Sequence, residues 1–397
     1  MTRWPKLFRS NPSHANLRAV IAAAVCIQAA QGIFDVSLAL RAERAGLSAT
    51  AFGWTGAAHT LGFVAGAFLA PFALRALGGY GVLLAACLLA SPLAGLGWVS
   101  SEALWLMTRV AAGFAFAMLF AATDTAVLDT ATIGQRPRAI GIYVMFERLA
   151  MMIMPFAFAT RLSAPGTLSY GVGCLWLSLV PGRTLRHSHP PARRVDLKLW
   201  STAEAAWRLA PTAVICAFAA GALNTSVLIL LPRWVHGALG EPAVPVVQAA
   251  AWFGGLAVQL GAGFLAPPAA RTRMGLWLSP GAAFALIGMP FAARAGLACT
   301  TLASVVVGVT AFSQYGLSLI GLAETAGQRD QAPPTSALVF AWGLGAVLGP
   351  AACSATGLYS EPADLFMVIG LLWLCVPMAA ALAQRNARGA KLQRAAR

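Results

Sequence analysis

Charge is scarce in this sequence. Asp, Glu, Lys and Arg make up 10% of its 397 residues, where soluble domains average about 25%. No stretch longer than one basic segment near the middle is polar enough to be a soluble domain, although the length alone would suit two or three. The seven cysteines all lie within apolar runs, and no two are spaced CxxC. That pattern excludes a disulfide framework or a cysteine metal site and leaves them as small packing residues. Histidine is rarer still, at five. His187 and His189 lie beside prolines with no cysteine or carboxylate cluster, and read as solvated rather than metal-ligating. No nucleophile and base stand together within an apolar run, so the sequence does not read as an enzyme and implies neither cofactor nor metal. The net charge is +15, yet there is no basic helix and no interleaving of basic and aromatic residues. Nucleic-acid binding is therefore not expected.

What is present is apolar. Hydrophobic residues make up 59% of the chain and the mean hydropathy is +0.72, which places it in a lipid bilayer. The first residues, MTRWPKLFRSNPSHANLRAVIAAAVCIQAAQG, imitate a secretory signal. The apolar character nevertheless continues to Leu40, about 23 residues from Arg18, the length of an uncleaved spanning helix. Runs of this kind recur twelve times, at 18–40, 49–74, 80–99, 103–128, 139–160 and 167–181, then 208–232, 244–268, 275–293, 297–323, 335–357 and 364–384. The expected fold is an all-α membrane protein of 12 transmembrane helices in two pseudo-symmetric six-helix bundles. These comprise residues 1–181 and 208–397, joined by a cytoplasmic linker at 182–207.

Loop charge sets the orientation. With the N-terminus in the cytoplasm, 21 Lys and Arg fall on the inner side and five on the outer, leaving Arg109 and Arg148 within spans. The positive-inside rule predicts such a split for an even number of spans with both termini cytoplasmic. The expected location is the inner membrane of a cell, as a multi-pass monomer.

The halves echo one another. FLAPFALR at Phe68–Arg75 returns as FLAPPAAR at Phe264–Arg271, with six of eight residues shared at an offset of 196. Met154-Pro155 in the fifth run returns as Gly349-Pro350 in the eleventh, at an offset of 195. Six spans between the octets return the chain to the same face, as parallel repeats require.

With two six-span halves and a basic connecting segment, the chain resembles the major facilitator superfamily of secondary transporters, and within it the compact bacterial permeases of the efflux type. The family's loop signature after the second span, Gly-x-Leu-Ala-Asp-Arg-x-Gly-Arg, is matched here at Gly78. Pro71, Arg75 and Ala76 replace its first Gly, its Asp and its Arg. The fourth-span signature Arg-x-x-x-Gly is met by Arg109 and Gly113, with Ala112 where the family often has Gln. Of the fifth-span antiporter glycines, Gly141 and Pro155 remain, with Ala150 and Met154 at the other positions. In this resemblance the first and fourth spans are cavity neighbours, and an Arg at position 109 tunes the proton affinity of a nearby acid.

An ionised residue at mid-membrane costs about 2.5–3.5 kcal/mol even on the mild insertion scale. Asp35, Arg109, Asp124, Glu147 and Arg148 therefore each need a reason, and all lie in the first half. Asp35 precedes the outer end of the first run by about five residues, and Arg109 follows the outer start of the fourth by about six. At 1.5 Å per residue the two stand at similar depth and can pair. Gln28, Gln31 and Asp35 share one helical face by their i, i+3, i+7 spacing. Asp35, Arg109 and Glu147 are the candidate proton-coupling residues. Gln28, Gln31, Asp35 and Arg148, with Asn224, Thr225, Gln314 and Tyr315 of the second half, are the candidate solute contacts. Tyr143 shares a face with Glu147. Asp124 reads as a link to inner-loop arginines, and His59 as a hydrogen-bonded core residue. The expected activity is secondary active transport of a small organic solute by alternating access, coupled to protons, with export favoured by the resemblance. The competing reading is a transporter-like receptor or assembly factor without flux.

Overall fold

The computed structural model describes residues 12–130, 136–187, 204, 207, 210–264, 268–318 and 332–395. Among the described residues twelve α-helices are laid out in order: α1 Pro12–Arg44, α2 Ala49–Ala90, α3 Glu102–Thr130, α4 Arg136–Ile153, α5 Thr167–Gly182 and α6 Pro211–Ala219. They continue as α7 Thr225–Leu239, α8 Ala243–Phe264, α9 Pro268–Ala295, α10 Leu297–Ala311, α11 Ala332–Ala355 and α12 Pro362–Ala395. The described residues contain no β-strand.

The helices follow the apolar runs. The second and third runs lie end to end within α2 as two helices divided by a kink, the second continuing as a 3-10 stretch to Trp98. The chain changes direction at Gly78, whose φ of 68° suits a residue without Cβ. The seventh run is shared between α6 and α7, joined by a π-helical turn at Ala220–Asn224. Among the described residues nine stretches are long and apolar enough to cross a membrane, the longest being Ala49–Trp98 at 50 residues. The sixth run gives only the 16-residue α5, prolonged by a 3-10 turn through His187.

Large apolar side chains are exposed along these helices, among them Trp277 at 80% and Met107 at 69%. Such surfaces suit hydrocarbon rather than water. Helix ends follow local chemistry. α1 stops at Gly46 (φ 83°), where Gly46 N–H donates to Glu43 O at 3.0 Å and Leu47 N–H to Ala42 O at 2.9 Å. That pair of bonds is a Schellman cap. Arg75 donates from Nε to Pro71 O at 3.2 Å and lies over the Phe72 ring. It thus satisfies a carbonyl just before the bend at Gly78.

The chain divides into two compact units: residues 1–47 with 58–195, and 48–57 with 196–397. In the first, α1 packs on α3, α4 and α5. Buried Arg41 fastens its end there, donating from Nη1 to Ser163 O at 3.1 Å and from Nη2 to Gly97 O, while Arg44 reaches the same Ser163 carbonyl at 3.4 Å. In the second unit, α10 packs on α8 and α9, α9 on α12, and α11 on α6. The first turns of α2 belong here by packing. Gly53 lies against the Tyr359 ring and Ser354, Gly56 lies against Ile229, and Thr50 Oγ1 is 3.3 Å from Ser360 Oγ.

The same crossing is built once in each unit. In the first, a Cβ on Gly62 would strike the Val110 carbonyl, and one on Gly113 the His59 carbonyl. In the second, a Cβ on Gly254 would strike the Val305 carbonyl, and one on Gly308 the Ala251 carbonyl. Val110 and Val305 differ by 195 positions, as do Gly113 and Gly308; His59 and Ala251 differ by 192, as do Gly62 and Gly254. Small residues let helix backbones approach this closely. The FLAPPAAR octet at Phe264–Arg271 lies partly outside the described residues.

Candidate functional site

The first unit gathers its intramembrane charges on the faces of α1, α3 and α4 that meet. On α1, Gln31 Nε2 donates to Asp35 Oδ1 at 2.6 Å, fixing the carboxylate one turn away. Asp35 is half-buried and within electrostatic reach of Arg109 on α3 and Arg148 on α4. Buried Gln28, on the same α1 face, makes a long contact from Nε2 to Glu147 Oε1 at 3.5 Å.

Glu147 and Arg148 are adjacent and diverge. Glu147 turns toward Gln28, Tyr143 and Asp124, while Arg148 reaches toward Asp35 and lays Nη1 3.9 Å from Met151 Sδ. One helix thereby serves two neighbouring polar groups. The four-residue spacing of Tyr143 and Glu147 places both on one face. Tyr143 Oη donates to Asp124 Oδ1 at 2.6 Å and lies 3.1 Å from Thr123 Oγ1. The described partner of Asp124 is thus Tyr143. The side chains of Arg136 and Arg138, inner-loop arginines to which the sequence suggested a link, lie outside the described residues.

His59 joins the Asp35 group, which its sequence position alone did not reveal. It sits beside Arg109, edge-on to Phe116 at 6.2 Å, with a hydrogen bond between its imidazole and the Arg109 backbone. Arg109 Nε is buried without a hydrogen-bond partner.

The four candidates of the second unit separate. Asn224 ends the π turn and is buried; its Nδ2 donates to Ala311 O while its Oδ1 has no partner. It lines a small cavity with Leu223, Val227, Leu286, Val307 and Trp373. Half-buried Thr225 follows it. Gln314 is fully buried, with the Cys216 thiol beside its amide. Tyr315 instead packs its ring against Trp342 at 6.2 Å, beside Ala213, Ala217, Leu338 and Ala341. The second unit therefore presents neutral hydrogen-bonding groups where the first presents charges. Among the described residues no three His, Cys, Asp or Glu side chains gather as a metal site.

The fold has solved counterparts. The nucleoside transporter NupG superposes with a TM-score of 0.76 at 12% identity, covering 93% of this chain and 98% of that one. A bacterial homologue of the human lysosomal transporter Spinster, inward-facing and unoccupied, gives 0.69 at 17% identity, covering 95% and 98%. A D-xylose–proton symporter gives 0.68 at 14% identity, covering 93% and 96%. The comparison with curated proteins gives no match. The family model described as Major Facilitator Superfamily matches residues 20–350. With that match spanning most of the helices described above, the chain belongs to the Major Facilitator Superfamily of multi-pass membrane transporters.

Proposed function

We propose that the protein is a proton-coupled secondary transporter of a small organic solute, in which Asp35 binds and releases the coupling proton. The observation that carries this reading is the setting of Asp35: a half-buried carboxylate held by Gln31 and facing the guanidinium groups of Arg109 and Arg148. An acid between movable cations changes its proton affinity when either cation moves. Glu147 is the second acid of the same unit. Gln28, Gln31 and Arg148 contact the solute from the first unit, and Asn224, Thr225, Gln314 and Tyr315 from the second. The unpaired Oδ1 of Asn224 supports this assignment. A solved relative of the same fold is a sugar–proton symporter, which accords with a small polar solute and with protons. The acidic and basic groups of the first unit, three against two, suit a cationic, zwitterionic or neutral solute.

Transport proceeds by alternating access between two six-helix bundles, residues 1–181 and 208–397, joined by the segment 182–207. Export is the direction favoured by resemblance to efflux permeases. The protein sits as a monomer in the inner membrane with both termini cytoplasmic, an orientation that the distribution of loop charges supports. In proteoliposomes, Asp35→Asn is expected to abolish pH-driven transport while counterflow exchange of solute persists. Unaltered pH-driven flux in that variant rejects Asp35 as the proton site.

A second reading, a receptor or assembly factor without flux, draws on Arg75. This cation stands where the family's loop signature has an acid, and it bonds within its own helix. Solute exchange by the purified protein separates the two readings.

A further inference from the structure

In the first unit, α5 and the part of α2 beyond the Gly78 bend pack side by side. Their contacts form a ladder. The Arg186 guanidinium lies over the Tyr80 ring, 4.8 Å from its centroid, and a Cβ on Gly182 would meet the Leu83 side chain. Further along, Cys87 Sγ donates to Leu175 O at 3.3 Å and Trp176 Nε1 donates to Ser91 Oγ at 3.0 Å. Residue numbers rise on one helix as they fall on the other, so the pair is antiparallel. The seam is closed, with Leu83, Cys87 and Leu175 wholly buried.

Beside this seam run two outward stripes. Tyr80, Leu84 and Leu88 follow at i, i+4 spacing, and Trp176, Val180 and Arg183 at i, i+4, i+7, so each set shares one helical face. Leu88 and Val180 are 55% and 59% exposed, as suits side chains that meet acyl chains in a bilayer. Both stripes end in cations. Arg183 and Arg186 are exposed in the 3-10 turn that follows α5, and exposed Arg75 stands five residues before Tyr80, across the bend. Their own segments supply no neutralising acid, since residues 44–101 and 148–195 contain neither Asp nor Glu. Arginines beside an aromatic ring at the end of an apolar face match the headgroup level of a membrane.

We propose that this face binds an anionic glycerophospholipid, with its phosphate held by Arg183 and Arg186 and an acyl chain lying along the stripes of Leu84, Leu88 and Val180. Guanidinium groups present paired N–H donors that match phosphate oxygens. The Tyr80 ring holds one of the two in place by cation–π contact, and Arg75 adds a third positive charge nearby. A zwitterionic lipid brings an ammonium together with its phosphate and gains less from the same three arginines. A soluble anion gains nothing from the apolar stripes. The site lies on elements other than α1, α3 and α4 and rests on neither the Asp35 group nor the transport reading.

The test is native mass spectrometry of the full chain titrated with phosphatidylglycerol, with phosphatidylcholine of the same acyl chains, or with inorganic phosphate. The wild type is expected to retain phosphatidylglycerol in preference to phosphatidylcholine and to retain no phosphate alone. An arginine near an anionic surface contributes about fivefold in affinity. Arg183→Gln and Arg186→Gln are therefore each expected to weaken phosphatidylglycerol retention about fivefold, and the double variant about 25-fold, with phosphatidylcholine unaffected. Arg161→Gln, at an exposed arginine before the opposite end of α5, is the control and is expected to change nothing. Equal retention of the two lipids by the wild type overturns the proposal, and that comparison decides even if the double variant fails to fold. Undiminished phosphatidylglycerol retention in the double variant overturns it too. So does retention of inorganic phosphate at the same arginines, which marks a soluble-anion site, or a dimer that forms in place of lipid binding, which marks a face for a second copy.

Discussion

The carbonyl oxygen of His59 occupies the space in which a Cβ on Gly113 would stand. α2 and α3 thus meet backbone to backbone, beside Arg109, one turn before Gly113. In the second unit the Ala251 carbonyl and Gly308 meet in the same way. In a bilayer, where no water drives helices together, such close approach is a main source of association.

Alanine at either crossing is therefore expected to destabilise. Gly113→Ala and Gly308→Ala each add a methyl against a carbonyl, an overpacking that costs about 1–3 kcal/mol. The check is the thermal midpoint of each purified variant. Gly141→Ala is the control: nothing lies within 4 Å of its added Cβ, and alanine is the better helix former by about 1 kcal/mol.

Arg41 is expected to matter for stability although it lies far along α1 from the Asp35 group. Arg41→Met removes the donor to the Gly97 carbonyl and one of the two donors to the Ser163 carbonyl. Leaving a buried acceptor unpaired costs about 1–3 kcal/mol, read as a lower unfolding temperature. Arg41→Lys is expected to recover only part, because an ammonium does not reproduce the guanidinium fork.

Gln31 positions Asp35, and Gln31→Leu keeps the bulk while deleting the donor at 2.6 Å. Hydrogen bonds to a charged group contribute about 1.5–3 kcal/mol. A loss of that size is expected to slow pH-driven flux in proteoliposomes by about tenfold to a hundredfold and to leave protein yield and monodispersity unchanged.

Asn224 is expected to act on solute rather than on folding. Its Oδ1 is unpaired, and the residue lines a small, mostly apolar cavity. Screening solutes for thermal stabilisation identifies a binder by the linkage of binding to folding. Asn224→Leu should abolish that stabilisation while shifting the solute-free midpoint by no more than the loss of one hydrogen bond, about 1 kcal/mol.

Orientation is open to a direct check. Fusing alkaline phosphatase or a fluorescent protein after Arg397 is expected to give fluorescence without phosphatase activity, as a cytoplasmic C-terminus requires.

Much of the fold is legible in the sequence because a bilayer demands about 20 apolar residues per span, and α1, α3 and α12 sit where those runs lie. The second and third runs are legible too: non-helical backbone at Gly78 separates two helices there, as composition shows two spans. At the site, helical spacing suffices to align Gln28, Gln31 and Asp35, since all three share one helix. It does not supply the partner of Asp124, which depends on how α3 and α4 face each other, nor the approach of His59 to Arg109, which depends on a crossing set by Gly113. Asn224 and Gln314 also differ in a way their spacing hides. One lines a cavity and the other is enclosed.

The π turn at Ala220–Asn224 has a consequence for how the two repeats align. A turn closed by i→i+5 bonds accommodates one residue more than its neighbours. Every side chain beyond it is rotated by roughly a quarter-circle relative to an uninterrupted helix of the same sequence. Asn224 and Asp35 therefore cannot be equated by counting from the starts of their repeats. Removing a single alanine from the turn would let the helix wind regularly and carry the amide of Asn224 away from its cavity, with no change in composition beyond one methyl-bearing residue.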